Sequence, residues 1–339
     1  MTEGGPAPAP VWQSAIALLD DIARRAEAGA VLRAVIRSGV LTRLRDPATL
    51  HDLATELGAP AARLAAVLAV LRSLGIVDAE GDSWRLTEPW AAVVAGESPM
   101  DFEAYAELSA VRMQQFERSL TDSLDYWQLS RDERLRTARG VSFNPASPVM
   151  PAMLRRDLGM LDGVIPALES GGRVLELGCG VGSRLTALAL TFPEARAVGV
   201  ELDKDLVDFG RQRAAALGVA DRVTYVTGDA RTYEPDGDFD LVTWSQFFFP
   251  TDTREAALAT AFTALRPGGW VTCPVIWLEG ATPEGTEAEE LALEALNLDM
   301  WGVPARTTAE VVAEMEAAGF TDTRVDDMSY VNLVRGRRP

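Results

Sequence analysis

Histidine and lysine are nearly absent: the 339-residue chain has one of each, His51 and Lys204, and its other basic residues are arginine. A single imidazole excludes a His-rich metal site and makes any Ser-His-Asp constellation depend on His51. Cysteine is almost as scarce. Cys179 and Cys273 do not make a disulfide framework or a Cys-rich metal site, so no metal is expected. Both read as buried thiols of a reduced, cytoplasmic protein. Positive charge is in deficit, with 32 Lys+Arg against 50 Asp+Glu and a net charge of −18. A chain this acidic lacks the cationic footprint that holds polyanions, so neither nucleic acid nor an anionic membrane is an expected partner. No apolar run reaches the roughly 18 residues of a membrane span. The opening Met1-Thr2-Glu3-Gly4-Gly5-Pro6 has neither the basic region nor the apolar run of a secretory signal. What is plentiful is apolar side chain: 47% hydrophobic residues with 24% charged is a globular composition. At about 150 residues per domain, the length suggests about two domains.

Residues 1–10 read as a flexible tail. Residues 11–97 form the first expected domain. Apolar residues from Val11 to Leu44 recur at helical spacing, predicting two helices broken near Ala28-Gly29 or Ser38-Gly39. Asp46-Pro47-Ala48-Thr49 is a turn and helix start, followed by short helices ended by Gly58 and Gly75. Ile76–Ala79 and Trp84–Thr87 then flank the turn residues Glu80-Gly81-Asp82-Ser83, predicting a hairpin. Helix, helix, hairpin is the order of a winged helix-turn-helix. A DNA-binding regulator is the reading this unit invites, and its residues oppose it. The would-be recognition helix, residues 61–72, carries two Arg and no Asn, Gln or Ser to read base edges. Asp46, Asp52, Glu56, Asp78, Glu80, Asp82 and Glu88 outweigh Arg63, Arg72 and Arg85. A helix apolar nearly all round is expected to be buried on more than one side, in a dimer or against another domain. Residues 98–168 read as a helical connector whose aromatics fill its own core or lid the next domain.

From Arg173 the pattern changes to strand alternating with helix. Val174–Leu177, Ala197–Glu201, Val223–Val226, Phe239–Trp244 and Trp270–Val275 are short apolar strands with helices between them, predicting a parallel, doubly wound sheet over residues 169–339. The first strand runs into Gly178-Cys179-Gly180-Val181-Gly182 and a helix, where glycine lets a ligand approach the backbone and the helix presents free amides. A dinucleotide site places its third glycine one residue later. Glu176 lies just before the turn, Glu201 closes the second strand where a carboxylate suits two ribose hydroxyls, and Gly228-Asp229-Ala230 closes the third.

This ordered set resembles class I S-adenosylmethionine-dependent methyltransferases over residues 150–339. With the N-terminal unit, the whole chain resembles the small-molecule O-methyltransferase family of natural-product pathways. The resemblance implies a Rossmann-like α/β sheet preceded by a winged-helix dimerisation domain, S-adenosylmethionine as cofactor, a small-molecule acceptor and a homodimer. It implies that Glu176, Gly178 and Gly180 line the methionine part of the cofactor. Glu201 would hold the ribose, with Leu202 against adenine, Asp229 and Ala230 at the adenine edge, and Ser245 on the sulfonium side.

One departure stands out. Typical members carry a histidine after the fourth strand that deprotonates the acceptor, and here Phe249 falls about where it belongs in Trp244-Ser245-Gln246-Phe247-Phe248-Phe249-Pro250-Thr251-Asp252. Methyl transfer would then rest on proximity and a desolvated, aromatic pocket acting on an amine, thiol, carboxylate or activated carbon. The candidate catalytic positions are Gln246, Phe249 and Asn144. The candidate acceptor contacts are Phe247, Asn297, Met300 and Trp301, the last three at a helical spacing that a core helix would share. A second reading keeps the cofactor and drops the acceptor: the cofactor cyclises with release of methylthioadenosine, or serves as a bound cation.

Overall fold

In the computed structural model, the chain is described over residues 12–121, 125–275, 288–303, 306–327 and 332–339. The expected tail lies outside these residues, as do residues 284–287 of the acidic stretch before Ala288. The chain divides into two compact units, Met1–Ala95 and Gly96–Pro339. The expected connector is therefore part of the same compact unit as the sheet, not a separate layer.

In the N-terminal unit, α1 (Trp12–Arg37) runs unbroken through Ala28-Gly29 and stops where Gly39 adopts φ 77° before α2 (Val40–Arg43). Its first turns leave Trp12, Ile16, Leu18, Leu19 and Ile22 exposed. Thr49 ends the two-residue strand β1 (Ala48–Thr49) and caps α3 (Leu50–Leu57) by accepting the Asp52 amide. Next come α4 (Ala61–Ser73), β2 (Val77–Glu80), β3 (Ser83–Leu86) and α5 (Glu88–Val94). β3 pairs with both β2 and β1, so the hairpin gains a third strand that propensity did not announce. Only one stripe of α4 is buried, Leu64, Leu68 and Leu71. Its other faces carry Val67 and Val70 with five alanines, apolar side chain that a single chain leaves uncovered or half-buried.

The second unit opens with α6 (Phe102–Arg118), a 3-10 turn at Tyr126–Gln128, α7 (Arg131–Gly140), α8 (Met150–Leu158) and α9 (Val164–Glu169). Asp101 caps α6, and Ser130 with Glu133 forms a capping box on α7. The sheet elements then alternate: β4 (Arg173–Leu177), α10 (Ser183–Thr191), β5 (Arg196–Glu201), α11 (Lys204–Ala216), β6 (Val223–Thr227), β7 (Phe239–Trp244), α12 (Arg254–Ala264) and β8 (Leu265–Val275). After α13 (Ala288–Met300) and α14 (Thr308–Ala317), β9 (Thr321–Asp327) and β10 (Asn332–Arg337) complete a sheet of seven strands among the described residues, ordered β6-β5-β4-β7-β8-β10-β9.

The five strands expected from the pattern are present and mutually parallel. β10 is antiparallel to both β8 and β9, an extension the sequence reading left out. Alternation along β4 sorts its side chains. Val174 packs in the core under α10 and Leu175 and Leu177 in the core under α12 and α14, so Glu176 points to the α10 side. Covered on both faces, β4 and β7 are mostly apolar, with Glu176 and Thr243 the buried polar exceptions.

Candidate functional site

From β4 the chain steps outward through β5 to β6, then returns to the other side of β4 as β7. Beyond the carboxyl ends of the strands at such a reversal lies the crevice where open α/β sheets bind ligands. Here the register aligns the strand ends, with Leu177 opposite Trp244 and Val200 opposite Leu177. A cavity of about 550 Å³ opens above them, within the range that holds small molecules.

The turn after β4 is shaped by backbone. Gly178, Gly180 and Gly182 all have positive φ, at 72°, 53° and 64°. A Cβ on Gly178 would stand 2.7 Å from the Phe249 ring, and one on Gly182 would run into the Tyr225 ring, whereas Gly180 faces open space. Gly180 is thus the position where a ligand can lie against main chain.

Two buried carboxylates flank this turn. Glu201 accepts the amide of Gly180 on Oε2 and that of Asp203 on Oε1, each at 2.9 Å. Burial raises its pKa and these amide bonds oppose the rise. Each oxygen keeps a second lone pair for a ligand hydroxyl. Glu176 accepts the Ser245 hydroxyl on Oε1 at 3.2 Å, and its Oε2 is buried with no partner. Burial pushes this carboxyl up to about 7, against the pull of Arg184 and the Ser245 hydrogen bond. Arg184 lines the same cavity, close enough for its charge to act on the Glu176 carboxyl. An orphaned acceptor and a guanidinium lining one cavity suit a ligand carrying both an ammonium and a carboxylate.

Leu202, Asp229 and Ala230 also line the cavity. Asp229 is gripped by Arg231 through Nε and Nη2, which lowers its pKa, so it meets a ligand as half of an ion pair. Phe247, Phe248 and Phe249 form an aromatic wall, and the connector supplies Tyr126, Trp127, Ala138, Val141, Ser142 and Phe143. Between core filler and cover, the connector therefore does some of each: Tyr126 packs on Phe248 at 4.4 Å and bounds the cavity.

Glu176, Gly178, Gly180, Glu201, Leu202, Asp229, Ala230, Ser245, Phe247 and Phe249 are thus brought together. Five other candidates are not, and each is a correction. Gln246 is buried, turned toward the Pro274 carbonyl at 3.3 Å, and does not line the cavity. Asn144 staples its own loop, donating to the Gly96 carbonyl and accepting the Ala146 amide, and does not line the cavity. Asn297, Met300 and Trp301 are buried in α13 and the turn that follows it, away from the cavity lining. Trp301 donates to the Gln115 side chain at 3.0 Å and backs Phe248 at 5.6 Å, so the core explanation of that helical spacing applies. His51 is exposed on α3 of the other unit. Arg184, Tyr126 and Trp127 were missed; the available signals were an Arg just after the Gly-rich turn and two adjacent aromatics at a helix break.

Residues 174–269 match the family model described as a methyltransferase domain. Over 159 residues it is 31% identical to the ubiquinone/menaquinone biosynthesis C-methyltransferase UbiE of Dinoroseobacter shibae, a match spanning 44% of this chain and 62% of that protein. The chain covers less than two thirds of the length of the curated relatives it matches. Its fold extends the likeness across both units. An O-methyltransferase family protein from Burkholderia thailandensis superposes with a TM-score of 0.68 at 18% identity, covering 98% of this chain and 99% of that one. Human N-acetylserotonin methyltransferase, solved in complex with SAM, gives 0.69 at 16% identity, covering 99% of each chain. The architecture is that of O-methyltransferase structures.

Proposed function

We propose that this protein transfers a methyl group from S-adenosylmethionine to a small molecule of natural-product type. The observation that carries the reading is the pair of buried carboxylates on either side of the Gly178–Gly182 turn, Glu201 held by two amides and Glu176 with one oxygen unpartnered. The methyltransferase domain match over 174–269 supports the same reading. Glu201 would accept the ribose hydroxyls, Glu176 the amino-acid ammonium and Arg184 the carboxylate. Asp229 and Ala230 would border the adenine, with Leu202 against its face. When bound, the cofactor supplies an activated methyl group on a cationic sulfur.

The residues that face the acceptor do little proton chemistry. No histidine lines the cavity, and the Phe247–Phe249 wall with Trp127 and Phe143 excludes water and offers ring faces to positive charge. Desolvation and alignment then do most of the work, which favours acceptors whose nucleophile needs no strong base. The test is titration with S-adenosylhomocysteine, followed by transfer of labelled methyl from S-adenosylmethionine to a panel of amines, thiols, carboxylic acids, phenols and activated carbons. Absence of transfer to any of them would refute methylation.

One observation favours a second reading. Glu176, with its pKa at about 7 and a free oxygen, is suited to take a proton from the amino-acid ammonium. The freed amine would then displace methylthioadenosine within the cofactor, a C–N bond replacing a C–S bond to leave a cyclic amino acid, and no acceptor would be methylated; mass analysis separates the two. We also propose a homodimer, supported by the exposed apolar side chains along α1. Light scattering that returns the 36.5 kDa monomer mass at micromolar concentration would reject it.

A further inference from the structure

The side chains around Glu201 continue beyond the cavity in one direction. Asp203 donates its amide to Glu201 and accepts two bonds on its carboxylate: the Asp205 amide on Oδ1, which caps α11, and Arg134 Nε on Oδ2 at 2.7 Å. Arg134 belongs to α7 and also donates through Nη1 to the Leu129 carbonyl at 2.6 Å. Leu129 ends the 3-10 turn that carries Tyr126 and Trp127 over the cavity. One guanidinium thus ties the roof of the cavity to the residue that orients its floor carboxylate.

The roof itself faces that carboxylate. Tyr126 is buried, and burial followed by the charges of Glu201 and Asp203 holds its hydroxyl well above the ordinary phenol range. Its ring packs on Phe248 and against the edge of Trp127 at 5.2 Å. The rest of the segment is anchored through Ser142 to the Ala138 carbonyl, through the Asn144 amide to Pro99, and by a bridge between Phe143 and Met100.

We propose that Arg134 is a positioning residue for the cofactor site, coupling the roof segment 125–143 to the ribose carboxylate Glu201 through Asp203. The proposal rests on the reading of Glu201 as the ribose-binding residue. Its physical basis is that Asp203 has two tasks set at once. The guanidinium fixes the Asp203 side chain, the helix cap fixes its backbone, and the amide that points at Glu201 follows. Without Arg134, one Asp203 oxygen in a side chain only 6% exposed loses its partner, and Leu129 loses the donor that holds the turn. A buried charge left unpaired moves to find water, and both roof and floor loosen with it. The neighbouring pair Arg131–Asp205 has a 74% exposed Arg and carries no comparable constraint.

The experiment is calorimetric titration of S-adenosylhomocysteine into the wild-type protein and into Arg134→Gln, Asp203→Asn, the double variant and Arg131→Ala. Hydrogen exchange of residues 125–143 is read with and without ligand. Asparagine keeps the helix cap, so Asp203→Asn removes the ion pair without uncapping α11. The expected result is that each single variant binds about tenfold or more weakly, as for loss of a charge-assisted bond. The double variant should be no weaker than the poorer single, because both remove the same link. Ligand should slow exchange across 125–143 in wild type and not in Arg134→Gln, a difference that a merely structural arginine would not produce. Arg131→Ala should bind like wild type. If Arg134→Gln binds like wild type, or if the two single losses add, the coupling is refuted. If Arg134→Gln does not fold, Asp203→Asn decides alone. If wild type itself does not bind, the cofactor reading falls and this proposal with it, whereas wild-type binding with indifferent variants overturns only the coupling.

Discussion

Glu176 offers the sharpest test of the electrostatics of the site. Its carboxyl titrates at about 7 in the folded protein against an ordinary value of 4.5, because burial penalises the anion. The unfolded chain releases this proton first. Stability associated with the neutral acid is therefore complete below about pH 4.5 and declines as pH rises, levelling off above about pH 7. At about 1.4 kcal/mol per pH unit between those two points, the loss is about 3 kcal/mol. Glu176→Gln keeps a similar shape, carries no titrating group and escapes this loss. About 2.5 kcal/mol of this falls between pH 5 and pH 8, so at about 2–4 °C per kcal/mol for a unit of this size the melting temperature of the variant should gain roughly 5–10 °C on wild type across that range. The assay is thermal unfolding of both proteins across that range, where the titrations of other groups cancel in the difference. A bound ammonium reverses the sense for ligand: S-adenosylhomocysteine should bind wild type more tightly as pH rises through 7, and Glu176→Gln should show no such trend. A melting difference independent of pH would refute the burial argument, and a pH-independent wild-type affinity would refute the role in holding the ammonium.

Three further outcomes follow from the geometry. Glu201→Gln should weaken S-adenosylhomocysteine binding by tenfold to about a hundredfold in calorimetry, since it removes the charged acceptor of the proposed ribose bonds. Gly182→Ala should lower the melting temperature more than Gly180→Ala: both pay about 1–2 kcal/mol for the left-handed backbone, but only the first also displaces the Tyr225 ring. Trp301→Ala should destabilise the protein by about 3–5 kcal/mol in chemical denaturation, as for loss of a buried indole; an unchanged stability would return Trp301 to the role of an acceptor contact.

The side of the cavity built on the glycine turn was legible in the sequence because it is local. A glycine turn after a strand needs its glycines wherever the rest of the chain goes, as the positive φ values of Gly178, Gly180 and Gly182 show. Glu201 ends a strand that periodicity alone identifies. The roof of the cavity was not legible, because it is built from segments far apart in sequence. Tyr126, Ser142 and Phe248 meet only after α7 packs on α11, and nothing in the spacing of residues 125–143 says which of its aromatics face inward. Gln246 and Asn144 illustrate the converse error. Each is a polar residue in a suggestive place, and each is taken up by a carbonyl that the sequence reading had no means to locate, Pro274 and Gly96.

The order of apolar runs and turn residues determined by itself that the second unit holds five parallel strands with helices between them, since buried strands and amphipathic helices announce their period locally. With its one histidine at position 51, the sequence likewise settled that no imidazole of this chain stands after the fourth strand. Tertiary structure alone decided that Trp301 supports the cavity wall from behind, that Arg184 stands beside Glu176, and that the sheet continues into antiparallel β9 and β10. Contacts of this kind depend on which elements pack together, and that is set by the summed burial of the whole unit rather than by any one segment.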